Sequence, residues 1–142
     1  MIKLSKLSDY AIVVLSRLAA GRGEVLTTSV LSEETGIPEP TVSKVLKLLS
    51  KQKIVESVRG ANGGYVMQRC PTEISVAELI VALEGPIALT ACVGDQDHTE
   101  CMIDTLCPLK SGWQKVNTVV QDALASVALA DLLIPVSIGR GR

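Results

Sequence analysis

Residues 27–67 read TTSVLSEETGIPEPTVSKVLKLLSKQKIVESVRGANGGYVM. Thr27 or Thr28 can cap a short helix, because a threonine hydroxyl accepts one of the orphan N–H groups of a first helical turn. Gly36 ends that helix, since glycine takes the left-handed conformation a helix terminus requires. A second helix opens within PEPTVSKVLKLLSKQK, where Pro38 and Pro40 are tolerated because the first turn does not need their missing N–H groups. Val42, Val45, Leu46 and Leu49 repeat at helical spacing and predict a buried stripe, leaving Thr41, Ser43, Lys44, Lys47 and Lys51 outward. Two short helices joined by a glycine turn, the second one basic, read as a helix-turn-helix. Residues 54–58 then alternate like a strand, 59–64 form a turn, and 65–67 begin a return strand, which predicts a hairpin wing. The expected fold is mainly α: a winged helix-turn-helix with a small β-hairpin.

Outward from this core, Leu7, Ala11, Val14 and Leu18 share a helix face, so a helix is expected from about Ser8 to Ala20, stopping at Gly21. The basic, apolar N-terminus invites comparison with a signal peptide, but Asp9 and Arg17 interrupt it and its continuous apolar run is only Ala11 to Leu15. No apolar run approaches the roughly 18 residues of a membrane span, and a cytoplasmic protein with no membrane partner is the expectation. On the other side, Ser75 can cap a helix that ends at Gly85-Pro86. A further helical pattern runs from Leu109 or Ser111 to about Leu133 through Trp113, Val116, Val120, Leu124 and Val127. It is longer and more apolar than a small domain needs, and predicts a C-terminal dimerisation helix. The chain therefore divides into a DNA-binding domain, 1–72, and a part carrying a loop and the dimerisation helix, 73–142.

Charge follows the same division. Residues 1–70 hold ten Lys/Arg against six Asp/Glu, a balance of +4, while residues 71–142 hold four against nine, a balance of −5. Between residues 40 and 70, Lys44, Lys47, Lys51, Lys53, Arg59 and Arg69 face only Glu56. Such an excess binds phosphates even in a chain whose net charge is −1. The only rings are Tyr10, Tyr65 and Trp113, too few for a single-strand reader that stacks bases on aromatic platforms. His98 is the only histidine, which excludes sites needing several. The wing glycines do not make a phosphate loop, because no Lys-Ser/Thr and no helix follow them.

Between the last two helices lies CVGDQDHTECMIDTLCP. Cys92, Cys101 and Cys107 are interspersed with Asp95, Asp97, Glu100 and Asp104, with no Lys or Arg. A nucleophilic thiol needs an electropositive setting; these carboxylates oppose thiolate formation until a cation arrives, since a metal deprotonates thiols outright. A metal centre is therefore favoured over thiol catalysis, and no enzyme is expected: there is no CxxC pair and no phosphate motif. Structural zinc prefers closer cysteine pairs, whereas wide spacing with incomplete thiolate ligation suits an iron–sulfur cluster whose fourth ligand comes from elsewhere; spacing leaves both metals open. Cys70, at the end of the return strand, is expected to be a small packed residue.

The opening LSKLSDYAIVVLSRLA, the helix-turn-helix with PTVSKVLKLLSKQKIV, the wing VRGANGGY and the three-cysteine loop before a long helix resemble the Rrf-type winged-helix regulators. This family includes the iron–sulfur regulator IscR and the nitric-oxide sensor NsrR; the nearest likeness within it is to regulators of the SUF iron–sulfur assembly operon. The resemblance implies a homodimer on double-stranded operator DNA, acting as a repressor of iron–sulfur assembly genes and controlled by a cluster, [2Fe-2S] favoured and [4Fe-4S] open. The family's cysteine ligands fall on Cys92, Cys101 and Cys107, although the first gap is three residues longer than in IscR or NsrR. IscR-type proteins use a histidine where this chain has Lys110, which cannot serve. NsrR-type proteins use an aspartate of the partner's first helix, in a motif like SDYA, which Asp9 matches; His98 is the local rival. Asp9 could instead cap the first helix. For DNA, Thr41, Ser43 and Lys44 are expected at base edges, Lys47 and Lys51 at phosphates, Arg59 in the minor groove, and Thr28 at the interface. The alternatives are a winged-helix repressor with structural zinc and a nitric-oxide or redox-sensing regulator of other operons; no small-molecule substrate is implied.

Overall fold

The computed structural model of the chain describes residues 4–89 and 108–133. Its first helix, α1, spans Lys6–Ala20 and starts earlier than its apolar spacing predicts. The reason is a distant carboxylate: Glu84 Oε1 accepts from the Ser5 amide at 2.7 Å and from the Ser8 hydroxyl at 3.2 Å. Ser5 is the N-cap residue and Asp9 lies inside the first turn, so Asp9 does not cap the helix.

Helix α2, Thr28–Thr35, is capped by Thr27, whose hydroxyl accepts from the Val30 amide at 3.2 Å. It ends at Gly36, with φ at 76° in the left-handed region as the sequence predicts. Helix α3, Glu39–Lys51, follows with Pro40 in its first turn. Val42, Val45, Leu46 and Leu49 are fully buried beneath it, so the predicted stripe is the one the fold uses.

The wing pairs β1, Glu56–Val58, antiparallel with β2, Gly64–Val66, in the register Glu56↔Val66, Ser57↔Tyr65 and Val58↔Gly64. Ile54 and Val55, expected in the strand, are instead buried against the core just before it. Leu26 forms a further antiparallel bridge to Tyr65, with amide–carbonyl bonds of 2.9 and 2.7 Å. Gly64 makes this bridge possible: its φ is 155°, and a Cβ there would sit 2.5 Å from the Leu26 carbonyl oxygen.

A short 3-10 turn, Pro71–Glu73, leads to α4, Val76–Glu84, which opens on a reciprocal box: the Ser75 hydroxyl accepts from the Glu78 amide, and Glu78 accepts from the Ser75 amide. Helix α5 spans Lys110–Ala125, shorter than the helix predicted to Leu133. Tertiary pairing ends it. The Val76 amide donates to Val127 at 2.9 Å, the Leu129 amide donates to Ile74 at 2.7 Å, and Leu129 is fully buried. The chain beyond Ser126 thus turns back onto the entrance to α4. One apolar cluster joins α1 (Ala11, Val14, Leu15, Leu18), α2 and α3 (Leu31, Val42, Leu46), and α4 with its neighbours (Ile74, Leu79, Leu83, Leu129). No described helix is long and apolar enough to cross a membrane.

Candidate nucleic-acid interface

Because α3 buries its valines and leucines, its polar side is fixed outward. Lys44, Lys47 and Lys51 are exposed, with Thr41 and Ser43 half-buried near its start. Arg59 is exposed at the turn that follows β1. Helix and wing turn belong to one rigid unit, because Ile54 and Val55 anchor the connection in the core. The arrangement presents a cationic helix flanked by a cationic hairpin tip, which is the shape and charge of a duplex reader.

The start of α3 holds an element that apolar and basic patterning did not reveal. Glu39 Oε1 accepts from the Thr28 hydroxyl at 3.2 Å and from the Ser29 hydroxyl at 3.0 Å. These bonds tie the first turn of α2 to the first turn of α3. Thr28, expected at the DNA, therefore also has a structural partner. The signal in the sequence was the pair of hydroxyls facing an acid across the glycine turn, visible only once the helices are folded together.

Behind the interface, the buried Arg17 of α1 reaches the Glu34 carboxylate through Nε, with a second contact from Nη2 at 3.4 Å, and approaches Glu24 at 3.7 Å. Its Nη1 atom is buried without a hydrogen-bond partner among the described residues. Arg69 reaches both oxygens of Glu78 at 3.2 Å, fastening the end of the wing to the start of α4.

Cys70 corrects an expectation: it is exposed rather than packed. It leaves the core because Pro71 starts the 3-10 turn immediately after it. Its thiol lies 2.9 Å from the Thr72 hydroxyl, and the hydrogen bonds of Thr72 lower its pKa below the usual thiol value.

Cys92, Cys101, Cys107 and His98 lie outside the described residues. Among the described residues there is no cluster of three or more metal-ligating side chains. Asp9, the one candidate ligand that is described, is exposed and lines a cleft of about 640 Å³ with Leu4, Ser5, Lys6 and Glu84. Glu84 is the last residue of α4, so Asp9 sits close to where the chain departs toward the cysteines. Hydrogen bonds from Ser5, with a smaller contribution from Ser8, hold the Glu84 carboxyl below the ordinary glutamate value. At the far end of the cysteine segment, the buried Asn117 of α5 accepts from the Leu89 amide at 3.0 Å and donates to the Ile87 carbonyl at 3.1 Å.

Outside this region α5 exposes apolar side chains. Leu109, just before the helix, and Trp113, Val116 and Val119 on it are 62%, 42%, 46% and 61% exposed in the single chain.

Comparison with known proteins agrees with this geometry. Residues 4–134 match the family model Rrf2, described as an iron-dependent transcriptional regulator. The chain is 29% identical over 134 residues to the HTH-type transcriptional regulator NsrR of Bacillus licheniformis, covering 93% of this chain and 92% of the relative. It resembles the solved structure of T. potens IscR with a TM-score of 0.59 and 32% identity, covering 92% and 85% of the two chains. The structure of CymR, the global cysteine regulator of B. subtilis, is similar with a TM-score of 0.65 and 26% identity, covering 93% and 96%. The NsrR and CymR relatives are named as HTH-type transcriptional regulators. A winged helix with a basic reading face, matched along nearly its whole length, makes the chain a member of the Rrf2 family of DNA-binding transcriptional regulators.

Proposed function

We propose that the chain is a homodimeric repressor of iron–sulfur cluster assembly genes, of the SUF type, acting on operator DNA in the cytoplasm. The observation that carries the DNA reading is the separation of faces on α3: four fully buried aliphatic residues on one side, three exposed lysines on the other. In this reading residues 1–72 contact the duplex and residues 73–142 carry the sensing segment and the dimer surface. Thr41, Ser43 and Lys44 meet base edges, Lys47 and Lys51 meet phosphates, Arg59 enters the minor groove, and Thr28 lies at the interface beside Glu39. The exposed Leu109, Trp113 and Val116 supply an apolar surface for a second copy.

The proposed cofactor is an iron–sulfur cluster, [2Fe-2S] favoured over [4Fe-4S], held by Cys92, Cys101 and Cys107. The donor set fits: three thiols and four acids occur with no Lys or Arg between Cys92 and Cys107, a setting that a bound metal stabilises. Asp9, exposed at the cleft beside Glu84, is the proposed fourth ligand, from the partner's first helix, with His98 as the alternative. When bound, a cluster supplies sensitivity to oxidants, iron supply or nitric oxide. The α1–α4 contact through Glu84 and the α1–α2 contact through Arg17 give a continuous protein path from Asp9 to the reading helices.

Anaerobic purification with absorption spectra, followed by iron, sulfide and zinc per chain, tests the cofactor. Near-stoichiometric iron and sulfide support it; zinc alone, or no metal after reconstitution, removes the sensor and leaves the DNA reading. The likeness to CymR, the global cysteine regulator of B. subtilis, favours a second reading in which the chain controls sulfur-related genes.

A further inference from the structure

Glu39 is the first residue of α3 and is exposed. In a helix whose open side carries Lys44, Lys47 and Lys51, a carboxylate at the leading end opposes phosphate binding. Its oxygens are not equivalent. Oε1 is held by the Thr28 and Ser29 hydroxyls, at 3.2 and 3.0 Å, whereas Oε2 has no hydrogen-bond partner among the described residues. The first turn does not need it as a cap, because the Thr41 and Val42 amides already donate to the Pro38 carbonyl. The acid is thus oriented by two neighbours, with one acceptor left open at the end of the helix that leads into the groove.

We propose that Glu39 is a sequence-reading residue, whose open carboxylate oxygen accepts from the 4-amino group of a cytosine in the operator's major groove. The inference rests on the reading that α3 enters that groove. The chemistry selects the base. Guanine and thymine present only acceptors and a methyl group on that edge, which repel or ignore a carboxylate. Adenine offers an amino donor but sets its N7 acceptor beside it, whereas cytosine offers the donor without an adjacent acceptor. Thr28 and Ser29 are positioning residues: they restrict the side chain before DNA arrives, so less freedom is lost on binding.

The test is selection from a randomised duplex pool, carried out in parallel with the wild-type chain and with Glu39→Gln. The amide oxygen of Gln can still accept from Thr28 and Ser29, so the α2–α3 connection survives; thermal melting checks that it does. The expected result is a wild-type motif with cytosine at one position and a variant motif that loses cytosine at that position alone, because the glutamine amide left facing the groove donates rather than accepts. On single duplexes the wild-type preference for that cytosine is expected to be roughly 5- to 150-fold and to be lost in the variant. A second measurement needs no variant: replacing that cytosine by pyrimidin-2-one, which lacks the 4-amino group, is expected to weaken wild-type binding to the same degree. The same motif from both proteins, or full affinity for the pyrimidin-2-one duplex, overturns the assignment and leaves Glu39 only as a tie between helices. If the wild type enriches no motif and Lys47→Ala leaves retention of the starting pool unchanged, the groove reading itself falls, and this inference with it.

Discussion

Arg17 of α1 grips Glu34 near the end of α2 from a position that is 8% exposed, so the buried end of the ion pair belongs to the scaffold and the open end to the reading unit. The pair is only half desolvated, because the Glu34 side chain remains 41% exposed. Arg17→Met fills most of the same space but releases Glu34 to water. The expected loss is roughly 1–3 kcal/mol of unfolding free energy by denaturant titration, in the range of hydrogen bonds to charged groups. A double-mutant cycle with Glu34→Gln should return a coupling of about 1 kcal/mol; a coupling near zero shows that the pair does not hold the helices.

Gly64 tests the third contact of the wing. Alanine at this position faces both an unfavourable backbone conformation and the Leu26 carbonyl. We expect Gly64→Ala to cost roughly 1–3 kcal/mol and to raise hydrogen exchange at the Leu26 and Tyr65 amides, which donate across the bridge. Unchanged exchange at both amides would count against this role.

The exposed side of α5 separates assembly from folding. Val116 is 46% exposed in the single chain, so Val116→Asp should leave the monomer's core intact. Light scattering after size exclusion is expected to give a dimer for the wild type and a monomer, or a dimer dissociating at higher concentration, for the variant. A wild-type monomer at micromolar concentration contradicts the proposed assembly.

Glu84 predicts a pH dependence. Its folded pKa lies below the ordinary glutamate value because Ser5 and Ser8 hydrogen-bond to the ionised form. Such a group contributes stability that is present above its unfolded pKa and is lost as pH falls through its folded one. The melting temperature of wild type should therefore exceed that of Glu84→Gln near neutrality, with the gap closing in acid. Exposure keeps the difference small, at most about a few degrees. A gap that widens in acid contradicts the assignment.

What was legible in the sequence is what local chemistry determines. Thr27, Gly36 and the Val42–Leu49 stripe act within a turn or two of themselves, and each does what its residue type predicts. What was not legible depends on partners distant in sequence. Val127, Ala128 and Leu129 are apolar enough to continue a helix, and only pairing with residues 74–76 turns them into a bridge. The Leu26–Tyr65 bridge and the Glu84 cap of α1 likewise join residues with no shared periodicity. On the reading face, the lysines were evident from charge and spacing, but Glu39 was hidden because its importance lies in which hydroxyls it meets. The proposed cysteine ligands rest on thiol and carboxylate chemistry in the sequence, since they fall outside the described residues.

The bonds from Asn117 to Ile87 and Leu89, with the return of residues 127–129 onto the start of α4, have a consequence for how such chains diverge. Helices α4 and α5 are fastened to each other by contacts that do not involve the cysteine segment, so its length is decoupled from the frame. Lengthening a tethered segment costs little, about 0.6 kcal/mol for each doubling. Spacing between cysteines is then a variable that insertions and deletions can adjust while the helices stay in register, and chains with different intervals can share one scaffold.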